Sequence, residues 1–149
     1  MSNKTAKALN DLISIARDGK DFYEEAAQKV DDAELKTLFA RIATTKARIG
    51  NDLSAAVQAA GGKPEDSGTL VGSMQQMYGK IRAAFGDTEY GYVAELEESE
   101  DRLLEAFDEA ARDADTPPAA RDVIVRLLPE VRASHDVMRA RKHAMKNNH

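Results

Sequence analysis

The 149-residue chain is long enough to bury a sizeable core and short enough that one domain is the expectation, residues 1–149 with a core from about residue 5 to 146. Its composition (42% hydrophobic, 32% charged, no Trp, four Pro) suits a soluble, Ala-rich helical protein. A net charge of -5 and a pI near 5.3 exclude a general nucleic-acid binder, which needs a basic face. No apolar run reaches membrane-spanning length, so no membrane insertion is expected. The start Met1-Ser2-Asn3-Lys4 lacks a signal-peptide core, which makes the cytoplasm the expected location. Without Cys there is no disulfide framework, thiolate ligand or thiol nucleophile.

The first helix is predicted from about Thr5 to Val30. Leu9, Leu12, Ile13, Ala16, Tyr23, Ala26, Ala27 and Val30 form its apolar stripe. Gly19 weakens it by about 1 kcal/mol relative to Ala, and close approach of a neighbouring helix is the expected reason. Asp31-Asp32 offers a stop and a new N-cap. The second helix reads from about Ala33 to Ala60, with Leu35, Leu38, Phe39, Ile42, Ile49, Leu53, Ala56 and Val57 inward and a polar interruption at Thr45-Lys46. Gly61-Gly62 and then Pro64 end it.

Lys63 to Gly86 is too long for a tight turn and reads as a crossover. It carries one short amphipathic helix through Leu70, Val71, Met74, Met77, Tyr78, Ile81 and Phe85. The third helix is predicted from near Asp87-Thr88 to about Asp113. Val93, Leu96, Leu103, Leu104 and Phe107 recur at helical spacing, but the middle of that stripe is Glu100. The fourth starts at Thr116-Pro117, with Thr as N-cap and Pro in the first turn. Its stripe is Ile124, Leu128, Val131, His135, Met138 and Met145, interrupted by Pro129, which is expected to kink it.

Short first and third connections make antiparallel pairs, and the long second one sets the third helix parallel to the second. The fold class is therefore all-α, a ferritin-like four-helix bundle with its crossover between the second and third long helices.

A carboxylate on a buried seam needs a partner, because an unpaired buried charge is very costly. Here the chain resembles the rubrerythrin and ferritin superfamily. Phe39-Ala40-Arg41-Ile42-Ala43-Thr44-Thr45-Lys46-Ala47-Arg48-Ile49 is similar to that family's Phe, Ile-Ala, Glu-x-x-His helix, with Lys46 and Ile49 at the ligand positions. Seven residues before Tyr23, where the resemblance implies a ligand Glu, stands Ala16. Seven before Phe107 stands Glu100. In Arg132-Ala133-Ser134-His135 the His is kept and the Glu is Arg. A closer resemblance is to a bacterial family of ferritin-like bundles known as domain of unknown function 2383. It rests on Gly61-Gly62-Lys63-Pro64, Ser67-Gly68, Glu100-Asp101 and a late His, from about Ala8 to Arg139. That resemblance implies the fold and no particular activity.

A di-metal centre needs about four carboxylates and two imidazoles from four helices, whereas an ammonium or guanidinium has no lone pair to give. The expected arrangement is a buried polar cluster of Lys46, Glu100, Arg132 and His135, with Glu100 neutralised by Lys46 or Arg132. The alternatives are a reduced metal site through Glu100 and His135, with Glu97 as a further ligand, and a Glu100 that reaches solvent. Tyr23 is expected as a core residue with a bonded hydroxyl. The acidic third helix (Glu95, Glu97, Glu98, Asp101, Glu105, Asp108, Glu109) reads as a solvated face. The basic end (Arg139, Arg141, Lys142, His143, Lys146) suits the negative end of a helix dipole.

The function these residues support is a non-enzymatic structural or protein-interaction module with no catalytic residues and no cofactor. Loose family association adds a stress response, and bundles of this kind often pair, which makes a homodimer or another protein partner part of the expectation. The alternative is a metal-binding or redox protein holding iron or manganese at Glu100 and His135.

Overall fold

Each helix is bounded by the chemistry of its ends. In the computed structural model, which describes residues 2–64 and 88–147, α1 spans Ser2–Lys29 and α2 Ala33–Ala59. Helix α3 spans Thr88–Arg112 and α4 Pro118–Asn147. Asp32 caps α2, its carboxylate accepting from the Leu35 amide at 2.9 Å. At the other end the Gly62 amide donates to the Val57 carbonyl at 2.9 Å and the Gly61 amide to the Gln58 carbonyl at 3.0 Å. With Gly61 at φ +82°, this is a Schellman stop. A Cβ on Gly62 would stand 2.5 Å from the Ala6 Cβ, so the second glycine is held by packing against α1. Pro118 opens α4, where its missing amide costs nothing, one residue later than the sequence suggests. Helix α4 continues through Pro129 as one helix. The crossover helix expected through Leu70 to Phe85 falls outside the described residues.

Cross-helix pairs fix the directions. Asn10 on α1 bonds the Lys63 carbonyl just beyond α2, Arg17 reaches Ser54, and the Tyr23 and Phe39 rings meet. These pairs make α1 and α2 antiparallel. Phe22 packs on Tyr92, while Glu89 receives the Asp31 and Asp32 amides at 3.1 and 2.7 Å. Helix α3 therefore also runs against α1 and parallel to α2. Arg48 meets Glu130 and Arg141 meets Glu34, so α4 opposes α2. The result is an up-down-down-up all-α bundle, as the long second connection requires.

The α1–α2 and α3–α4 hairpins pack most extensively and α1 against α3 next, while α2 meets α4 only thinly. Charged pairs line that thin fourth edge: Arg48–Glu130, Arg141–Glu34 at 2.6 Å and Arg126–Asp52 at 3.9 Å. Exposed pairs of this kind contribute about 0–1 kcal/mol each and weaken with salt.

The apolar interior is in two parts. One cluster joins Leu9, Ile13, Leu53, Phe107, Ile124 and Val131 with their neighbours. The other joins Phe22, Tyr23, Phe39, Tyr92, Leu96 and Met138. Each fully buried large side chain contributes about 1.5–3 kcal/mol. Between the clusters lies a layer at Lys46, Glu100 and Ser134–His135. Gly19 is buried beside it, yet a Cβ there would sit 3.9 Å from the Ser99 hydroxyl, ordinary contact distance. The expected close approach at Gly19 is therefore not what keeps a glycine there.

Candidate functional site

The layer follows from helical register. In α2 the inward positions are Phe39, Ile42, Lys46, Ile49 and Leu53, and in α3 they are Val93, Leu96, Glu100, Leu103 and Phe107. Both alternate by three and four residues, so Lys46 and Glu100 occupy positions where an apolar residue belongs. Each is 1% exposed. The Lys46 Nζ donates to Glu100 Oε1 at 2.7 Å, and the Tyr23 hydroxyl donates to Glu100 Oε2 at 2.5 Å. One residue from each of three helices thus meets at a single carboxylate whose two oxygens are both engaged.

Burial pulls the Lys46 ammonium below the usual lysine value, while the Glu100 charge and hydrogen bond oppose that drift. The Tyr23 phenol is driven well above its ordinary value, by burial first and then by the Glu100 charge and hydrogen bond beside it. Tyr23 is therefore a fixed O–H donor. Ammonium, carboxylate and phenol thus bond one another in a place almost closed to bulk water.

Arg132 and His135 stand apart from this group, which corrects the expected cluster of four. The inward positions of α4 are Ile124, Leu127, Val131, Ser134 and Met138. That register places Leu127 and Ser134 where the sequence reading puts Leu128 and His135. His135 consequently flanks the seam on its α3 side. Its Nε2 lies 2.5 Å from Asp101 Oδ1 and its Nδ1 3.1 Å from Asp136 Oδ1. Burial lowers the imidazole's affinity for a proton, but the bonds to Asp136 and Asp101 outweigh it, and the His135 pKa is raised above 6.5. Arg132 turns outward, its side chain 52% exposed, to Asp108 at 3.5 Å. A guanidinium on a long stem can reach water from there and avoids the desolvation that Lys46 bears. Glu97 lies on α3 one turn before Asp101, 3.5 Å from the Lys142 Nζ.

The donor set in the seam does not fit a carboxylate-bridged di-metal centre. Ala16, Lys46, Ile49 and Arg132, at the positions where the rubrerythrin resemblance implies ligands, offer no lone pair to a metal. The Lys46 ammonium lies within bonding distance of Glu100, the one buried carboxylate among the described residues. Asp101 is the residue of this region that sequence reasoning undervalued. It reads as one more charge on an acidic face, and its pairing with His135 depends on how α3 and α4 meet.

The molecule is thus an all-α four-helix bundle with an ion pair sealed in its middle. The chain belongs to the family described as domain of unknown function (DUF2383), whose model matches residues 4–113. The match spans α1, α2 and α3, including Tyr23, Lys46 and Glu100, and ends before α4. Among curated proteins no relative matches the chain. No described helix is long and apolar enough to cross a membrane.

Proposed function

We propose that this protein is a non-enzymatic helical module in which the Lys46 ammonium does inside the bundle what an ion does in relatives with complete coordination spheres. The observation that carries this reading is the double engagement of Glu100, by Lys46 at 2.7 Å and by Tyr23 at 2.5 Å. An iron or manganese ion shared by Glu100 and His135, the competing reading, would have to displace both donors. It would also need His135 to turn from Asp101.

A buried ion pair adds little net stability, because desolvation offsets the attraction. It does penalise any other register of α2 against α3, since a slipped helix would leave a charge unpaired. With the interior committed to holding register, the outer faces are the working surface, either toward a second copy of the chain or toward another protein. Val125 and Val137 on α4 are exposed, and Val137 borders a shallow groove with Leu38 and Ile42 of α2. A bacterial source and a link to stress rest on the family resemblance alone, and a cytoplasmic location on the expectation from the N-terminal sequence.

The test is metal loading. Protein incubated with iron or manganese and desalted is expected to retain the same metal content in the natural chain and in Glu100→Gln. Stoichiometric iron or manganese lost in Glu100→Gln, with helical circular dichroism unchanged, would establish the competing reading. Sedimentation that finds monomer alone at all concentrations would remove self-association.

A further inference from the structure

Outside the bundle's seam, the α3–α4 edge brings together three side chains with the chemistry of metal ligands. Glu97 and Asp101 stand four residues apart on α3, so both face the same way, and His135 comes across from α4. One ligand atom from each lies within 4.8 Å of the other two. Ligands of one ion at bond lengths of about 2.0–2.2 Å stand at most roughly 4.4 Å apart. In the tetrahedral arrangement that zinc prefers they stand about 3.4 Å apart. Closing the group around an ion therefore takes on the order of an ångström of side-chain movement, and the Nε2–Oδ1 pair, now at 2.5 Å, has to open by a similar amount.

Two features distinguish this group from a solvated acidic face. The His135 Nδ1 is held by Asp136 at 3.1 Å, which leaves Nε2 facing Asp101. A carboxylate on the far nitrogen is the usual way a metal-binding imidazole is oriented. Exposure is also graded: the Glu97 and His135 side chains are 13% and 10% exposed, and Asp101 is 50% exposed. The group is thus walled on the bundle side and open to water on the other, leaving positions for solvent ligands. The opposing feature is Lys142, whose Nζ is 3.5 Å from Glu97 and would compete for that carboxylate.

We propose that Glu97, Asp101 and His135 form a divalent-cation site on the α3–α4 edge, taking a first-row transition ion such as zinc through two carboxylate oxygens and one imidazole nitrogen. One nitrogen with two oxygens and no sulfur suits a borderline ion rather than a soft one. The site clips the C-terminal half of α4 to α3. It is separate from the Lys46–Glu100 pair and does not depend on it.

Calorimetric titration of the chelator-stripped full chain with zinc ions tests this. The expected result is one equivalent bound, with affinity falling at least about tenfold in Asp101→Asn and in His135→Gln, and roughly tenfold in Asp136→Asn through loss of the orienting bond. Lys142→Met should bind more tightly, and Glu98→Gln, at an exposed neighbour, should bind as the natural chain does. Lys46→Met should keep the site, which separates this inference from the fate of the interior pair. Asp101 is half exposed, so its variant is expected to fold, and circular dichroism checks it. Absence of binding heat, or an Asp101→Asn variant that binds zinc as tightly as the natural chain, would overturn the proposal.

Discussion

Replacing Glu100 by Gln removes a charge and almost no volume, which isolates the electrostatics of the buried pair. At the 2.7 Å separation of Lys46 Nζ and Glu100 Oε1, opposite unit charges attract by about 6 kcal/mol at an effective dielectric constant of roughly 20. Withdrawing each ion from water costs several kcal/mol, so the intact pair contributes close to nothing relative to an apolar pair of the same shape. In Glu100→Gln the ammonium keeps its desolvation and loses its compensation. The expected loss is about 3–5 kcal/mol, which lowers Tm by on the order of 10 °C. The deficit should shrink as pH rises, because a lysine without its counter-ion gives up its proton more easily than a paired one. Lys46→Met combined with Glu100→Gln keeps an acceptor for the Tyr23 hydroxyl and removes both charges, and it should recover to within about 1 kcal/mol of the natural chain. Denaturant titration followed by circular dichroism gives all four corners of this cycle. A single-variant loss below about 1 kcal/mol would mean that neither group is held as a buried ion, and the reasoning would fail.

Gly19→Ala should stabilise the protein by about 0.5–1 kcal/mol, since the added methyl meets Ser99 at ordinary contact distance and helix propensity improves. Destabilisation on denaturant titration would show a closer approach of α3. At Gly61, φ +82° makes Ala strained, and a loss of about 1 kcal/mol is expected; no loss would contradict the Schellman stop. His135→Ala should leave a folded helical protein, because the imidazole bonds exposed carboxylates at the edge of the seam; collapse of the helical signal would contradict this. In chelator, the raised pKa of His135 has a definite sign: its stabilising contribution is complete below the ordinary value of 6.5 and is lost as pH rises through the higher folded value. Natural and His135→Gln chains should therefore differ most in acid and converge toward alkaline pH, and a constant difference would refute the bonds to Asp101 and Asp136.

Much of the fold was legible because it rests on local signals. Asp32, the Gly61-Gly62 pair and Pro118 bound helices through backbone chemistry that three or four residues carry. Connection lengths alone imply the up-down-down-up order. Glu100 was visible as a charge on an apolar stripe, and Lys46 as the interruption of another. What escaped depends on phase and on neighbours. Pro129 and the Leu127-Leu128 pair leave the register of α4 ambiguous by one residue, and that residue decides whether His135 points at Glu100 or at Asp101. Arg132 has a stem long enough to leave the seam, so its position in the sequence does not tell where its charge ends. Phe22 and Tyr92 lie beside inward positions, and each is buried because the other is there. The grouping of Glu97, Asp101 and His135 is set by how α3 and α4 meet, which no single-helix pattern encodes.

Diffraction from crystals soaked in iron and in manganese, with anomalous data at both edges, addresses the seam of the bundle directly. Lys46 Nζ is predicted to remain on Glu100 with the Tyr23 hydroxyl on the opposite oxygen, and with no anomalous peak among these three side chains. An ion bridging Glu100 and His135, with Lys46 displaced toward water, would contradict the account.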